Sequence, residues 1–137
     1  MAVSTPSYTH TIQTTYRDSD SLVITASTTA AGDTKIAGTY NVAAAATAQE
    51  ADISITAAAL KSIILSTSGP ALVVTPYNGA TAGTVINIPA NGSVMWNTSG
   101  GTNPISANVT KFLVANTTAA PAAAAVLIVA GVQVLSV

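Results

Sequence analysis

The sequence predicts an all-β protein, a β-sandwich or jelly-roll-like barrel of short antiparallel strands. Three observations lead to this fold class. Apolar and polar residues alternate with a period of two along most of the chain, as in strands that bury one face. Thr and other β-branched residues, which pack well on a pleated surface, are frequent in these segments. Gly, Pro and Asn turn signals separate the segments about every 8–12 residues, the spacing typical of sandwiches and barrels.

The first half contains four predicted strands. In the first of them, alternation places five residues on one face: Tyr8, His10, Ile12, Thr14 and Tyr16. Further strands are predicted at 22–27, 36–42 and 52–56. The alanine-rich segment 43–51 is too short to hold a helix by itself, so we expect a connection there. Residues 57–60 are expected to form a tight or helical turn.

Strands and turns alternate more regularly in the second half, with strands predicted at 61–67, 71–75, 84–88, 93–97, 109–116 and 126–137. The turn signals Asn78-Gly79 and Asn91-Gly92 predict that residues 71–97 form a three-stranded antiparallel meander. Pro76 is expected to end its strand or to mark an edge. The last strand begins apolar on both faces, which predicts a central position, with a bulge at Gly131.

The length of 137 residues suffices for one domain with its own hydrophobic core. We therefore expect residues 1–15 to be an N-terminal arm or the first strand, and residues 16–137 to be a single β-sandwich domain. Trp96 and Phe112 are the large side chains of the second half, and core packing is the expected role of both.

Charge is unusually scarce. Asp, Glu, Lys and Arg make up 7% of the chain, against about 25% in an ordinary soluble domain. After Lys61 the only such residue is Lys111. A free monomer normally keeps a charged surface, so the composition favours a protein whose surface is largely covered in an assembly. The alternative is a Thr-rich domain that tolerates a neutral surface.

The composition also argues against several kinds of partner. Nucleic acid is not expected, because no cluster of Lys and Arg exists to bind phosphate. Membrane insertion is not expected, because the apolar run 122–132 is shorter than the roughly 20 residues of a spanning helix. The first ten residues lack the basic and apolar regions of a signal peptide. We therefore expect synthesis in the cytoplasm.

Catalytic residues are few. His10 is the single histidine, it lies near the terminus, and no cysteine is present, so we expect neither a catalytic triad nor a metal or cofactor site. Asp18-Ser19-Asp20-Ser21 resembles the start of a calcium loop but lacks its Gly and distal Glu, and a capped turn is the expected structure. Four Asn-x-Ser/Thr patterns are interpreted as accidental in a chain rich in these residues.

Aromatic and neighbouring residues of the first strand are the candidates for an interface with a larger assembly or with another subunit. These candidates are Tyr8, His10, Ile12 and Tyr16, together with Tyr77 from the second half. The tyrosines are spread along the chain and do not form a pattern typical of sugar or base stacking.

From Lys61 onward the sequence resembles small proteins associated with the capsids of tailed bacteriophages. The matching pieces are Ala90-Asn91-Gly92 to Trp96, and Asn108-Val109-Thr110 to Val114, before the C-terminal strand. The opening, with Tyr8 to Ile12 and Thr15-Tyr16, is similar to the N-terminal strand of those proteins. This chain differs from them in having less charge and more alanine.

The resemblance implies a decoration, or cement, protein that binds the major capsid protein and reinforces the outer surface of an assembled shell. Many copies of such a protein add up weak, shape-based contacts, and small homo-oligomers such as trimers fit the local axes of a shell. The alternatives are a tail-tube, fibre or pilus-like subunit, and a carbohydrate-binding module in which Trp96 and the tyrosines act as platforms. A hydrolase is disfavoured because the residues it needs are missing.

Overall fold

A computed structural model of the chain describes residues 7–17, 19, 23–98, 101–116 and 123–135. These residues form β-strands almost throughout, with a single 3-10 turn, η1, at Ala57–Ala59. The described strands are β1 (Tyr8–Arg17), β2 (Val23–Gly32), β3 (Thr34–Val42), β4 (Gln49–Ile55), β5 (Leu60–Ser68), β6 (Leu72–Asn78), β7 (Thr81–Ala82), β8 (Ile86–Ile88), β9 (Ser93–Asn97), β10 (Val109–Asn116) and β11 (Ala125–Gln133).

Two antiparallel sheets pack face to face, which confirms the predicted all-β sandwich. One sheet has the strand order β3-β11-β5-β9. The other has the order β4-β10-β6-β7, and β8 also pairs with β6. A separate two-stranded hairpin joins β1 to β2.

Alternate residues of both sheets point into one shared core. Phe112 and Val114 of β10 are buried there, with Ile63 and Leu65 of β5 and Leu127 of β11. Burying a side chain of this size stabilises the fold by about 1.5–3 kcal/mol relative to leaving it exposed. Trp96 packs against the same core and is partly buried, as the core role predicted for it requires.

The central position predicted for the C-terminal strand is confirmed, because β11 pairs with β3 on one side and with β5 on the other. Gly131 lies where β11 approaches β5 most closely, and a Cβ atom there would overlap the carbonyl oxygen of Ser62. The irregularity in pairing with β5 falls between Val132 and Gln133, one residue beyond the predicted bulge.

The predicted meander of residues 71–97 is wrong. The turns themselves form as expected, with Gly79 at φ +60° and Asn91 at φ +50°. However, β9 pairs with β5 in the opposite sheet and not with β8. The turn after β8 is hydrogen-bonded to Gly69, which directly follows β5 of that other sheet. Asn91 N–H donates to the Gly69 carbonyl oxygen, and the Asn91 side-chain oxygen accepts from Gly69 N–H. Such a turn therefore connects the two sheets.

The expectation that Pro76 ends its strand or marks an edge is also wrong. The strand β6 continues to Asn78 and lies between β10 and the short strands β7 and β8. Pro76 lies opposite the break between β7 and β8, where Gly83 N–H donates to its carbonyl oxygen at 2.7 Å. A residue without an N–H is tolerated there because the ladder is interrupted.

The two connections of the first half form largely as predicted. Segment 43–48 joins β3 to β4 without a helix, although β4 begins at Gln49, earlier than expected. The Gln49 side chain bonds to the backbone of Asn41 and Ala43 and so closes this connection. The helical turn expected at 57–60 is confirmed as η1.

Candidate interaction surface

The β1–β2 hairpin packs on the outer face of the four-stranded sheet, outside the main core. Its ten residue pairs run from Tyr8 opposite Gly32 to Arg17 opposite Val23. At the hairpin base, Gly32 lies against the backbone of Gln133 so closely that a Cβ would be 2.6 Å from its carbonyl oxygen. The next residue, Asp33, donates its N–H to the same oxygen at 3.1 Å.

Polar contacts continue this docking across the sheet. His10 Nδ1 and Ser62 Oγ of β5 are joined by a hydrogen bond of 2.6 Å. Further along, Asn97 Nδ2 of the edge strand β9 donates to Thr28 Oγ1. Because these contacts follow the order β11, β5, β9, the hairpin crosses the sheet and leaves it at the β9 edge.

Apolar side chains fill the space between these polar contacts. Ile12 and Ala30 of the hairpin are buried, with 8% and 7% of their surface exposed. Val132 points to the outer face of its sheet, yet it is only 2% exposed because the hairpin covers it. These three residues lie outside the main core cluster. The hairpin therefore has a small apolar contact of its own.

The hairpin's row ends on β3 at the exposed Lys35, and beyond this row the same sheet face is partly exposed and carries no charge. By register, two rows of side chains cross it from β3 to β9. Met95 and Ile128 in these rows are 44% and 42% exposed. We call this surface the neutral face, and its residues are Ala37, Ala130, Ile64 and Met95 in the first row, and Thr39, Ile128, Ser66 and Ser93 in the second.

The hairpin adds a second uncharged surface on its solvent side. Thr9, Thr11, Thr29 and Ala31 are all exposed there, and the hydroxyls of Thr11 and Thr29 lie 3.2 Å apart across the strands. We call these four residues the hairpin's outer face. We call these twelve residues together the uncharged side of the molecule; the exposed Lys35 of β3 and Arg17 at the far end of β1 border it.

An ion pair lies on the opposite side, along the outer face of the five-stranded sheet. Lys111 Nζ and the Glu50 carboxylate form an ion pair of 2.8 Å. The hydrogen bond and the negative charge of Glu50 raise the pKa of Lys111 above its usual value. The ammonium also lies 5.9 Å from the centre of the Tyr77 ring, within cation–π range. The two outer faces thus differ strongly in polarity.

The predicted interface residues lie in different parts of the structure. Tyr8 is 37% exposed at the hairpin base, with Lys35 Nζ 6.0 Å from its ring centre. His10 and Ile12 follow it on the side that contacts the sheet, so Ile12 is already buried within its own chain. Tyr77 lies on the charged opposite side, and the side chain of Tyr16 lies outside what the structure describes. The interface roles of these residues stay predictions.

Chemically reactive arrangements are scarce in the part of the chain that the structure describes. Burial lowers the pKa of His10, which favours the neutral imidazole, and its recorded partner is a serine hydroxyl. No three His, Cys, Asp or Glu residues of the described ranges lie close enough to hold a metal ion. Asp18 and Asp20, from the predicted calcium-like turn, lie outside those ranges.

A small depression of about 130 Å³ opens between β6, β7 and the loop before β10. Its walls carry amide, hydroxyl and methyl groups, as at Asn78, Thr81 and Asn108, and the side chains that line it are uncharged. The chemistry available there is hydrogen bonding and shape recognition. Within the described residues, no helix has the length and apolar character needed to span a membrane.

No family model matches this chain, and neither the comparison with curated proteins nor the comparison with solved structures finds a match.

Proposed function

We propose that this protein is a structural, non-enzymatic virion component that decorates and stabilises the outer surface of a phage capsid by binding the major capsid protein. The observation that carries the proposal is the uncharged side of the molecule, formed by the hairpin's outer face and the neutral face. The sequence resemblance to capsid-associated proteins of tailed phages supports the same partner.

The size of the neutral face sets the expected strength of a single contact there. Three strand spacings of about 4.8 Å and about 14 Å along the strands give the neutral face a projected area of roughly 200 Å². A stable pairwise interface buries about 800 Å² per partner. One such face therefore binds weakly by itself, and a repeating shell that holds many copies at once supplies the missing affinity.

The distribution of charge supports one orientation on the shell. Glu50 and Lys111 are partly exposed on the five-stranded sheet and form an ion pair there. Removing such charges from water is unfavourable, whereas Thr, Ala, Ile and Met side chains are buried at little cost. In the proposed complex the five-stranded sheet faces solvent, and the hairpin's outer face lies against the shell.

The test first looks for a major capsid protein gene next to the gene of this protein, and then co-sediments the purified protein with expanded shells assembled from that capsid protein. We expect the wild type to pellet with the shells. Thr29→Glu, which places a charge on the hairpin's outer face, is expected to abolish this binding. Its matched control is Ser54→Glu, an exposed position on the outer face of the five-stranded sheet, which is expected to bind like the wild type.

Failure of the wild type to bind shells would contradict the proposal, as would equal loss of binding in both variants. Polymerisation into tubes or fibres without shells would favour a tail, fibre or pilus-like subunit. The carbohydrate-binding alternative requires Trp96 as a platform. That ring packs partly against the core, and its N–H donates to the Gly101 carbonyl at 3.3 Å, which favours a packing role.

A further inference from the structure

The hairpin, measured along its strands, is longer than the four-stranded sheet beneath it is wide. Ten residues at about 3.4 Å each give it a length of about 34 Å, whereas four strands span only about 14 Å. The burial of β2 residues on the side facing the sheet follows this mismatch: Ala30 is buried, Thr28 is half-buried and Ala26 is exposed. The distal hairpin, which we define as residues 13–17 and 23–27, therefore extends past the β9 edge.

The hairpin covers only part of the outer face of the four-stranded sheet. The hairpin occupies the row formed by Val132, Ser62 and Asn97. The next row, with Ala130, Ile64 and Met95, is aliphatic and partly exposed, and it belongs to the neutral face.

We propose that the distal hairpin of one copy packs on the neutral face of a second copy, so that neighbouring molecules are joined by their hairpins. This inference rests on the proposed function and specifies which part of the uncharged side joins copies. The hairpins of adjacent copies would then lie side by side, and their outer faces would form a continuous Thr-rich layer against the shell.

A second copy is the occupant that the internal contact favours. Within one chain, the sheet-facing side of β2 already packs on this outer sheet face through Ala30 and Thr28. Ala26 continues the same side of β2 beyond the edge and is exposed, so a side chain as small as Ala30 is available there to a second sheet face. Arg17, at the far end of β1, is exposed and would extend beyond the contact. An isolated two-stranded ribbon is marginally stable in water, which gives the overhang reason to find a partner.

The contact is head-to-tail, because a hairpin meets a face and not another hairpin. Contacts of this kind close into rings when the rotation between copies allows it. In a ring of three, the distal hairpin and the neutral face of each copy are both in contact with a neighbour, and the hairpins' outer faces stay available to the shell. Such a ring agrees with the small oligomer that the resemblance implies. The small area of each contact makes the association dependent on concentration.

The natural absence of cysteine allows a direct test by disulfide cross-linking between different molecules. One batch of protein carries Ala26→Cys in the distal hairpin, and a second batch carries Ala130→Cys in the neutral face. The two are mixed at rising concentration, oxidised, and analysed by non-reducing electrophoresis and mass spectrometry. The matched control mixes Ala26→Cys with Ser54→Cys on the opposite sheet.

We expect the 26–130 cross-link to exceed the 26–54 cross-link by about tenfold or more, because proximity raises the effective concentration of the two thiols. Equal yields, or no 26–130 product at the highest soluble concentration and on shells, would overturn the proposal. Ile64→Glu gives an independent measurement by sedimentation velocity. It is expected to remain monomeric where the wild type associates, and unchanged association would also overturn the proposal.

The hairpin contact between copies and the binding to shells can be refuted independently of each other. If the wild type pellets with shells but positions 26 and 130 never cross-link, the hairpin contact between copies is wrong and decoration stands. If the two positions cross-link in solution but no shell is bound, the contact between copies stands and the capsid proposal is wrong.

Discussion

Truncating Ile12 to alanine should release the hairpin from the sheet while leaving the sandwich folded. Ile12 is 8% exposed on the side of the hairpin that faces the sheet, and it lies outside the main core. The change removes three buried carbon groups at about 0.8 kcal/mol each, or about 2.4 kcal/mol. The cavity left behind adds to this loss. The lost free energy should weaken the docking of the hairpin and not the sandwich, because Ile12 is not part of the main core.

Hydrogen–deuterium exchange measured by mass spectrometry can locate the effect. An undocked hairpin is marginally stable, so peptides from β1 and β2 should exchange faster. A loss of about 2.4 kcal/mol corresponds to roughly 50-fold less protection. Peptides from β6 and β10 should exchange as in the wild type. As a control, Ile55→Ala removes a side chain of the same type from the main core, and it should reduce protection throughout the sandwich.

Two results would refute this reasoning. Unchanged protection of β1 and β2 would mean that Ile12 contributes nothing to docking. Equal loss of protection in β6 and β10 would mean that the hairpin and the sandwich unfold as one cooperative unit.

Three further perturbations follow from the geometry. Gly131→Ala would push a methyl group against the Ser62 carbonyl oxygen and should lower the free energy of unfolding by about 1–3 kcal/mol, measured by urea denaturation; an unchanged midpoint would contradict this close approach. Asn91→Ala removes the acceptor for Gly69 N–H at 2.8 Å and puts alanine at positive φ, so a loss of about 1–2 kcal/mol is expected in the same assay. Because burial lowers the pKa of His10 in the folded state, its contribution to stability should be complete above its ordinary pKa of 6.5 and fall as the pH drops below it. Thermal unfolding of wild type and His10→Gln across this window checks the effect, and equal pH dependence in both proteins would contradict it.

Local patterns predicted the strands well. The bounds expected for β9 and β10 agree with the structure to the residue, because clear alternation there is bounded by Gly, Asn and Pro. The central position of β11 followed from residues that are apolar on both faces. In each case the information lies in neighbouring residues.

Partnership between distant strands could not be predicted in the same way. Alternation tells which face of β9 is apolar, but not that β9 pairs with β5 in the opposite sheet. Likewise, Val132 lies on an outer sheet face and would be expected to contact water, yet the hairpin buries it. These features depend on contacts between residues far apart in the sequence, about 35 residues for Ser62 and Asn97 and about a hundred for Gly32 and Gln133.

The sequence singled out strand β1 but not the residues of the candidate surface. Tyr8, His10 and Ile12 lie on the side of the hairpin that faces the sheet, whereas Thr9 and Thr11 form the outer face together with residues of β2. The neutral face was missed because Met95 and Ile128 belong to strands with apolar residues on both sides, a pattern that predicts burial of both faces. The one available signal was the absence of charge after Lys61 apart from Lys111.

Burial of the uncharged side in an assembled shell is the central claim, and Met95 is a natural probe of it. The chain contains only two methionines, Met1 and Met95, and Met95 is 44% exposed on the neutral face. Peroxide oxidation of Met95, followed by mass spectrometry, can be compared between shell-bound protein and free protein that is dilute enough to be monomeric. We predict that Met95 oxidises much more slowly on the shell. Equal oxidation rates in the free and bound states would show that this face remains open to solvent and would contradict the claim.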